Sequence, residues 1–134
     1  MIKPIASYVI TAVVFLGLDF LWLTTIALGF YRRELGPLLL EKPSLTISAG
    51  FYLIYVLGIV FFCVTPALNG GNWLTALGTG ALLGLVAYGT YDITNLATLK
   101  NWSTSVALAD LAWGTALTAV AAAAGTLLTR LLPF

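Results

Sequence analysis

The sequence predicts an all-α integral membrane protein, a bundle of four transmembrane helices. Of its 134 residues, 60% are hydrophobic and only 8% are charged, whereas an average soluble domain is about 25% charged. The apolar residues form four long blocks, at about 5–29, 45–67, 74–99 and 104–128. Each block is long enough for the roughly 20 helical residues that cross a bilayer core, and none alternates as barrel strands do. We therefore expect one transmembrane domain over residues 1–134.

The first block is expected to be a retained helix that ends before a charged connection. It is too long for the apolar region of a signal peptide, it contains Asp19, and no clear small-residue cleavage site follows it. Two proline pairs, Gly36-Pro37 and Lys42-Pro43, interrupt helix in the connection, because the residue before proline avoids the α region.

The other helices have recognisable ends. Ser44 and Ser103 stand where they can accept hydrogen bonds from the first turns of the second and fourth helices. The sequence NGGN at 69–72 predicts a tight turn between the second and third helices. Because only residues 100–103 separate the third helix from the fourth, these two should form an antiparallel hairpin.

Packing and orientation follow from small and basic residues. Gly80-x-x-x-Gly84 and Ala121-x-x-x-Gly125 are patterns that let helices approach closely, so we expect the third and fourth helices to form the tightest pair. Basic residues favour one side of the membrane over the other, with Arg32, Arg33, Lys42 and Lys100 against Lys3 and Arg130. The positive-inside rule then places both termini outside a bacterial inner (plasma) membrane, and the first and third connections in the cytoplasm.

Three aspartates, Asp19, Asp92 and Asp110, lie inside the predicted helices. A carboxylate at the centre of a membrane helix costs roughly 2.5–3.5 kcal/mol. From their positions in the helices, all three should lie about 10–15 Å from the same membrane surface. The shared depth predicts a common site. We expect at least one of the three, Asp92 first, to keep its proton near neutral pH.

Aromatic and polar residues accompany these acids. Tyr88, Asp92 and Asn95 share one face of the third helix, and a D-x-x-W pair occurs on the first and fourth helices, which run in opposite directions. Lys100 stands at the membrane edge, near the mouth of such a site. The residues that complete the predicted site are Trp22, Trp113, Tyr52, Tyr55, Tyr88, Tyr91, Asn95 and Lys100.

Some chemistry is excluded. The chain contains no histidine, which rules out imidazole catalysis and the usual haem ligation. The lone Cys63 permits neither an internal disulfide nor a cysteine zinc cluster, and in an apolar helix it should act as a small core residue. No cofactor and no metal site are predicted, and no residue can be given a catalytic role.

The strings LDFLWL, YGTYDITNLATLKNW and DLAWG, on the first, third and fourth helices in that order, resemble an uncharacterised bacterial membrane-protein family. This family is defined by domain of unknown function 2177. The resemblance covers nearly the whole chain and implies a four-helix integral membrane protein. It implies no activity, cofactor or catalytic residue, so the functional hypotheses rest on the residues themselves.

Three hypotheses fit these residues. In the first, the site binds or transports a small hydrophobic, cationic or lipid-like ligand, with proton exchange at an aspartate, because acids and aromatic rings in a membrane attract cations. In the second, the protein is an enzyme in which aspartates perform acid–base chemistry on a lipid. In the third, the acids only fix helix register in a structural or accessory subunit, although interhelical hydrogen bonds average about 0.6 kcal/mol, which is less than the insertion cost.

The partners expected from composition are membrane lipids and a hydrophobic or cationic small molecule. A second copy of the chain or a larger membrane complex is a further expected partner, because a bundle this small and this rich in glycine and alanine can require one. Nucleic acid is not an expected partner, since the formal net charge is only +1.

The predicted orientation can be tested with single cysteines at Asn69 and Gly36 in a Cys63→Ala background. An impermeant thiol reagent applied to intact cells should label Asn69→Cys and not Gly36→Cys. Labelling at Gly36 alone would reverse the orientation, and labelling at both positions would show that the chain inserts both ways.

Overall fold

The computed structural model, which describes residues 2–39 and 44–133, contains four helical spans long and apolar enough to cross a membrane. The first span consists of α-helix Ile2–Trp22, a π-helical turn Leu23–Ala27, α-helix Leu28–Leu35 and a short 3-10 turn Gly36–Leu38. The second consists of α-helix Leu45–Ile59, a π-helical turn Val60–Val64 and α-helix Thr65–Leu68. The third and fourth are single α-helices, Trp73–Thr98 and Thr104–Arg130. No strand occurs in the described residues, and the predicted all-α fold class is confirmed.

The first span is longer than the predicted helix over 5–29. It starts at Ile2 and remains helical to Leu35, because residues 30–35 include good helix formers and no proline. The helix ends where Gly36 and Pro37 interrupt it. The other three spans lie within two residues of the predicted bounds at each end. Lys42 and Pro43 lie outside the described residues.

Polar side chains cap three of the helices. The Ser44 hydroxyl accepts a hydrogen bond from Ile47 N at 3.3 Å, and the Ser103 hydroxyl accepts one from Val106 N at 3.2 Å, as predicted. The third span begins with a capping box that sequence reasoning did not anticipate. In it, Asn72 accepts from Thr75 N while the Thr75 hydroxyl accepts from Asn72 N, which stabilises the helix start.

The third and fourth spans make the most extensive contact in the bundle. A Cβ added to Gly84 would lie 2.5 Å from the Gly114 carbonyl oxygen, and one added to Gly80 would lie 2.8 Å from the Thr118 carbonyl oxygen. The Tyr88 ring occupies the space that a side chain at position 114 would need. Backbone therefore packs on backbone along this interface, as the Gly80-x-x-x-Gly84 pattern predicted.

The fourth span is the centre of the bundle and contains the most buried residues of the four. It packs on the third span on one side and on the first span on another, where Gly125 lies against the Thr11 hydroxyl. Phe15, Ile59 and Leu117 fill the core between the first, second and fourth spans. Large apolar side chains such as Phe20, Phe51, Phe61 and Phe62 remain exposed on the outside, where lipid would contact them.

The backbones of the second and third spans come closest near the turn that joins them. Residues 60–68 of the second span pack on the third. Arg130 Nη2 donates hydrogen bonds of 2.7 Å to the carbonyl oxygens of Ala67 and Gly71, which secures this end. Towards Leu45 and Thr98 the two spans diverge and leave a cleft between them.

The backbone at Gly36 affects the orientation experiment. Its φ of 53° lies in a region that residues with a Cβ rarely adopt, so a cysteine there would strain the loop. Leu38 belongs to the same connection, has a side chain 52% exposed, and is the better place for the reporter cysteine.

The glycine contact between the third and fourth spans should be sensitive to a single methyl group. Gly84→Ala forces Cβ against backbone, and we expect it to destabilise the folded protein by about 1–3 kcal/mol. Gly78→Ala, on the same helix, meets nothing within 4 Å and should be neutral or slightly stabilising. Reversible unfolding in detergent micelles measures both, and equal effects of the two changes would contradict the packing described.

Candidate functional site

Asp19 is held by a tryptophan from another span. Its side chain is only 6% exposed, and Trp113 Nε1 donates a hydrogen bond to Asp19 Oδ1 at 3.1 Å. The Trp113 ring stacks on Trp22, with ring centroids 4.7 Å apart and planes within 10°. The two D-x-x-W pairs are therefore joined across the first and fourth spans, and the aspartate of one pair binds the tryptophan of the other.

Asp110 is held by a residue that sequence reasoning missed. The Tyr31 hydroxyl donates a hydrogen bond to Asp110 Oδ1 at 3.0 Å. Tyr31 lies beyond residue 29, where the first helix was predicted to end, so it was assigned to the charged connection. The signal that was available is the absence of any proline or N-cap residue between 29 and 36, which allows the helix to continue.

Asp92 is the most deeply buried of the three acids. Its side chain has no exposed surface, and neither carboxyl oxygen meets a hydrogen-bond donor in the part of the chain that the structure describes. The Asp110 carboxyl group on the fourth span is close enough to interact with it electrostatically. The close contact of the third and fourth spans therefore brings two carboxyl groups near each other.

Aromatic rings form one wall of the site. The Phe15 ring centroid is 5.5 Å from those of both Tyr52 and Tyr55, and the Tyr55 ring meets the edge of Tyr88 at 6.0 Å. A hydrogen bond of 2.9 Å joins the hydroxyl groups of Tyr55 and Thr118. These contacts fix the rings of the second span against the first, third and fourth, so the wall is rigid. Phe15 and Thr118 were not among the predicted site residues.

A cavity of about 740 Å³ occupies the cleft between the diverging second and third spans. Its walls are mostly apolar and aromatic, and Asp110 is its one acidic lining residue among the residues that the structure describes. The lining residues are Ile47, Ser48, Phe51, Tyr52, Tyr55, Ala87, Tyr88, Thr90, Tyr91, Thr94, Asn95 and Asp110. The volume is within the range of pockets that hold small molecules, roughly 300–1,000 Å³.

The predicted site residues occupy three different places. Six of them line the cleft: Tyr52, Tyr55, Tyr88, Tyr91, Asn95 and Asp110. Four others do not line it: Asp92, Asp19, Trp22 and Trp113. Lys100 is exposed in the turn after the third span and does not line the cleft. Tyr91 packs its ring edge-on against Trp102 at 5.7 Å, near the mouth that Lys100 was expected to occupy.

The site contains carboxyl groups and tyrosine hydroxyl groups. Among residues 2–39 and 44–133, no three His, Cys, Asp or Glu side chains lie close enough to hold a metal. The arrangement places an acidic group, Asp110, in the lining of a largely apolar, tyrosine-walled cleft. Such a group can bind a cation or accept hydrogen bonds, and aromatic faces add attraction for cations.

The fold and these residues define a multi-pass integral membrane protein with an acidic, aromatic cleft. A family model described as predicted membrane protein (DUF2177) matches residues 4–127. The chain therefore belongs to the DUF2177 family, as the resemblance indicated. Searches among curated proteins and among solved structures found no match.

The hydrogen bond between Trp113 and Asp19 should couple these residues energetically. A double-mutant cycle of Asp19→Leu and Trp113→Phe, which remove the acceptor and the donor, is expected to give a coupling energy of about 0.6–1.7 kcal/mol, the range seen for interhelical hydrogen bonds in membranes. Trp102→Phe with Asp19→Leu is the matched control, since Trp102 contacts Tyr91 instead. That control pair should be additive within about 0.5 kcal/mol. Additivity in the Trp113 cycle would show that the bond contributes nothing to stability.

Proposed function

We propose that this protein binds a small hydrophobic molecule with a cationic head group, including lipid-like molecules, in the cleft between the second and third spans. The observation that carries the proposal is the position of Asp110, an acid in the lining of a cavity of about 740 Å³ with otherwise largely apolar and aromatic walls. An acidic group is costly in a membrane, and such groups commonly mark ligand or ion pathways.

The walls support an amphipathic ligand rather than a bare ion. Phe51 and Ile47 at the entrance are 64% and 75% exposed, so a hydrophobic tail can leave the cleft among lipid chains. Deeper in the cleft, Tyr52, Tyr55 and Tyr88 offer ring surface to a cationic head. A ligand of this kind matches the cleft along its whole length, with its charge placed at Asp110.

The proposed location follows the charge bias of the connections. With the first and third connections in the cytoplasm of a bacterial inner membrane, the cleft opens in the cytoplasmic half of the bilayer, at the Leu45 and Thr98 ends of its two spans. A cleft that opens into one half of the bilayer is accessible to a ligand dissolved in that half of the membrane, which supports the binding proposal. Transport would additionally require an opening towards the other surface.

An enzyme acting on a lipid is the second candidate, and one observation favours it. The facing carboxyl groups of Asp92 and Asp110 occupy different surroundings, the first dry and the second at the cleft. Two such acids can divide the roles of proton donor and acceptor. Turnover of phospholipid in reconstituted vesicles, lost in Asp110→Asn, would favour this candidate over simple binding.

Two ions of matched shape and opposite charge test the binding proposal. Tetraphenylphosphonium should bind the purified protein in lipid nanodiscs, whereas tetraphenylborate should bind at least about tenfold more weakly, because it meets the same rings but is repelled by the acid. Asp110→Asn should weaken tetraphenylphosphonium binding by about tenfold or more, the equivalent of a charge-assisted contact of roughly 1.5–3 kcal/mol. Equilibrium dialysis with labelled ions measures these affinities.

Two further variants distinguish binding in the cleft from a general effect of the protein's charge on affinity. Glu34→Gln removes an exposed acid that contacts Ser103 on the same side of the protein and should leave the affinity unchanged. Ala87→Trp fills the cleft without altering charge and should abolish binding. If Asp110→Asn and Glu34→Gln behave alike, or if the two ions bind equally well, Asp110 is not the ligand contact.

A further inference from the structure

Asp92 has no role in the proposed binding contact, since it does not line the cleft. Its burial nevertheless demands an explanation. The carboxyl group is fully buried, both oxygens lack donors in the described residues, and Asp110 faces it from the fourth span. An ionised carboxylate in that position would lack hydrogen bonds and would repel a second carboxylate at close range.

The two acids are not equivalent in what surrounds them. Asp110 accepts a hydrogen bond from Tyr31 and borders the cleft, so its charged form has a donor and a route to a counter-ion. Asp92 has neither. The titratable groups that act on the pair are Asp19 and the phenols of Tyr31, Tyr52, Tyr88 and Tyr91, and all of them are acids.

We infer that Asp92 is a protonated positioning residue that donates a hydrogen bond to the Asp110 carboxylate, so that the pair carries one negative charge. Asp110 then receives two hydrogen bonds, one from Tyr31 and one from Asp92, which hold its carboxylate in place in the lining of the cleft. The single charge makes the pair a site for a singly charged cationic head. The assignment of the ligand's charge rests on the proposed function, whereas the protonation of Asp92 does not.

The protonation is tested without any ligand. Infrared difference spectra of the protein, with and without ¹³C-labelled aspartate, should show a protonated-carboxyl C=O band at neutral pH. This band should disappear in Asp92→Asn and persist in Glu34→Gln. Absence of the band in the natural protein, or its persistence in Asp92→Asn, would overturn the inference. The isotope comparison assigns the band to aspartate without requiring a variant to fold.

The positioning role is tested with tetraphenylphosphonium. Asp92→Asn keeps a donor for Asp110 and keeps the single charge, so the affinity should remain within about threefold of the natural protein. Asp92→Leu keeps the charge on Asp110 but removes the donor, and it should weaken binding about tenfold or more, since hydrogen bonds to charged groups contribute roughly 1.5–3 kcal/mol. A large loss in Asp92→Asn would show that both acids are charged, which would overturn the inference.

The outcomes separate this inference from the proposed function. If the carboxyl band behaves as expected but tetraphenylphosphonium does not bind, the protonated Asp92 stands and the cationic ligand is wrong. If the ion binds and Asp110→Asn abolishes binding, but no protonated carboxyl is found, the proposed function stands and the single-charge pair is wrong.

Discussion

The contact between the third and fourth spans is the constraint on which the candidate site depends. Gly80, Gly84 and Gly114 let the two backbones approach until no Cβ fits between them. Because the helices are antiparallel, Asp92 and Asp110 both lie on the same side of this contact, towards the turn that joins the spans. The close packing of the two helices leaves the Asp92 side chain with no exposed surface. The glycines therefore determine both the stability of the hairpin and the isolation of Asp92.

Energetic considerations favour a function for the acids beyond stability. Each acid in the membrane costs roughly 2.5–3.5 kcal/mol, and an interhelical hydrogen bond returns about 0.6 kcal/mol on average. Asp19 has its tryptophan donor and Asp110 its tyrosine donor, while Asp92 has only the other acid. A bundle that needed only stability would be served better by apolar residues at these positions, so helix packing alone does not account for the three acids.

The fold was predictable from the sequence, whereas much of the site was not. Apolar blocks of membrane-spanning length give the four spans, and Ser44, Ser103 and the Gly80–Gly84 pattern mark helix starts and the tightest interface. The cleft was not predictable, because apolar composition does not reveal that the second and third spans diverge. The sequence placed Asp19 and Trp113 in one predicted site and allowed hydrogen bonds between helices, but it did not show which aspartate meets which tryptophan.

Tyr31 shows most clearly why part of the site could not be predicted from the sequence. A regular α-helix turns by roughly 100° per residue, so Tyr31, twelve residues after Asp19, would point about 120° away from Asp19. The π-helical turn Leu23–Ala27 lies between them and takes up about one extra residue. Tyr31 then lies within about 20° of the Asp19 face, where it can reach Asp110.

The same shift makes the two D-x-x-W pairs unequal. Trp113 binds Asp19, but Tyr31 occupies Asp110 in the place where Trp22 would complete the symmetry. The Tyr31 hydroxyl, at the end of a long side chain, binds one oxygen of Asp110, and Asp110 still lines the cleft. Asp19 is thus enclosed between two spans, whereas Asp110 lines the cleft.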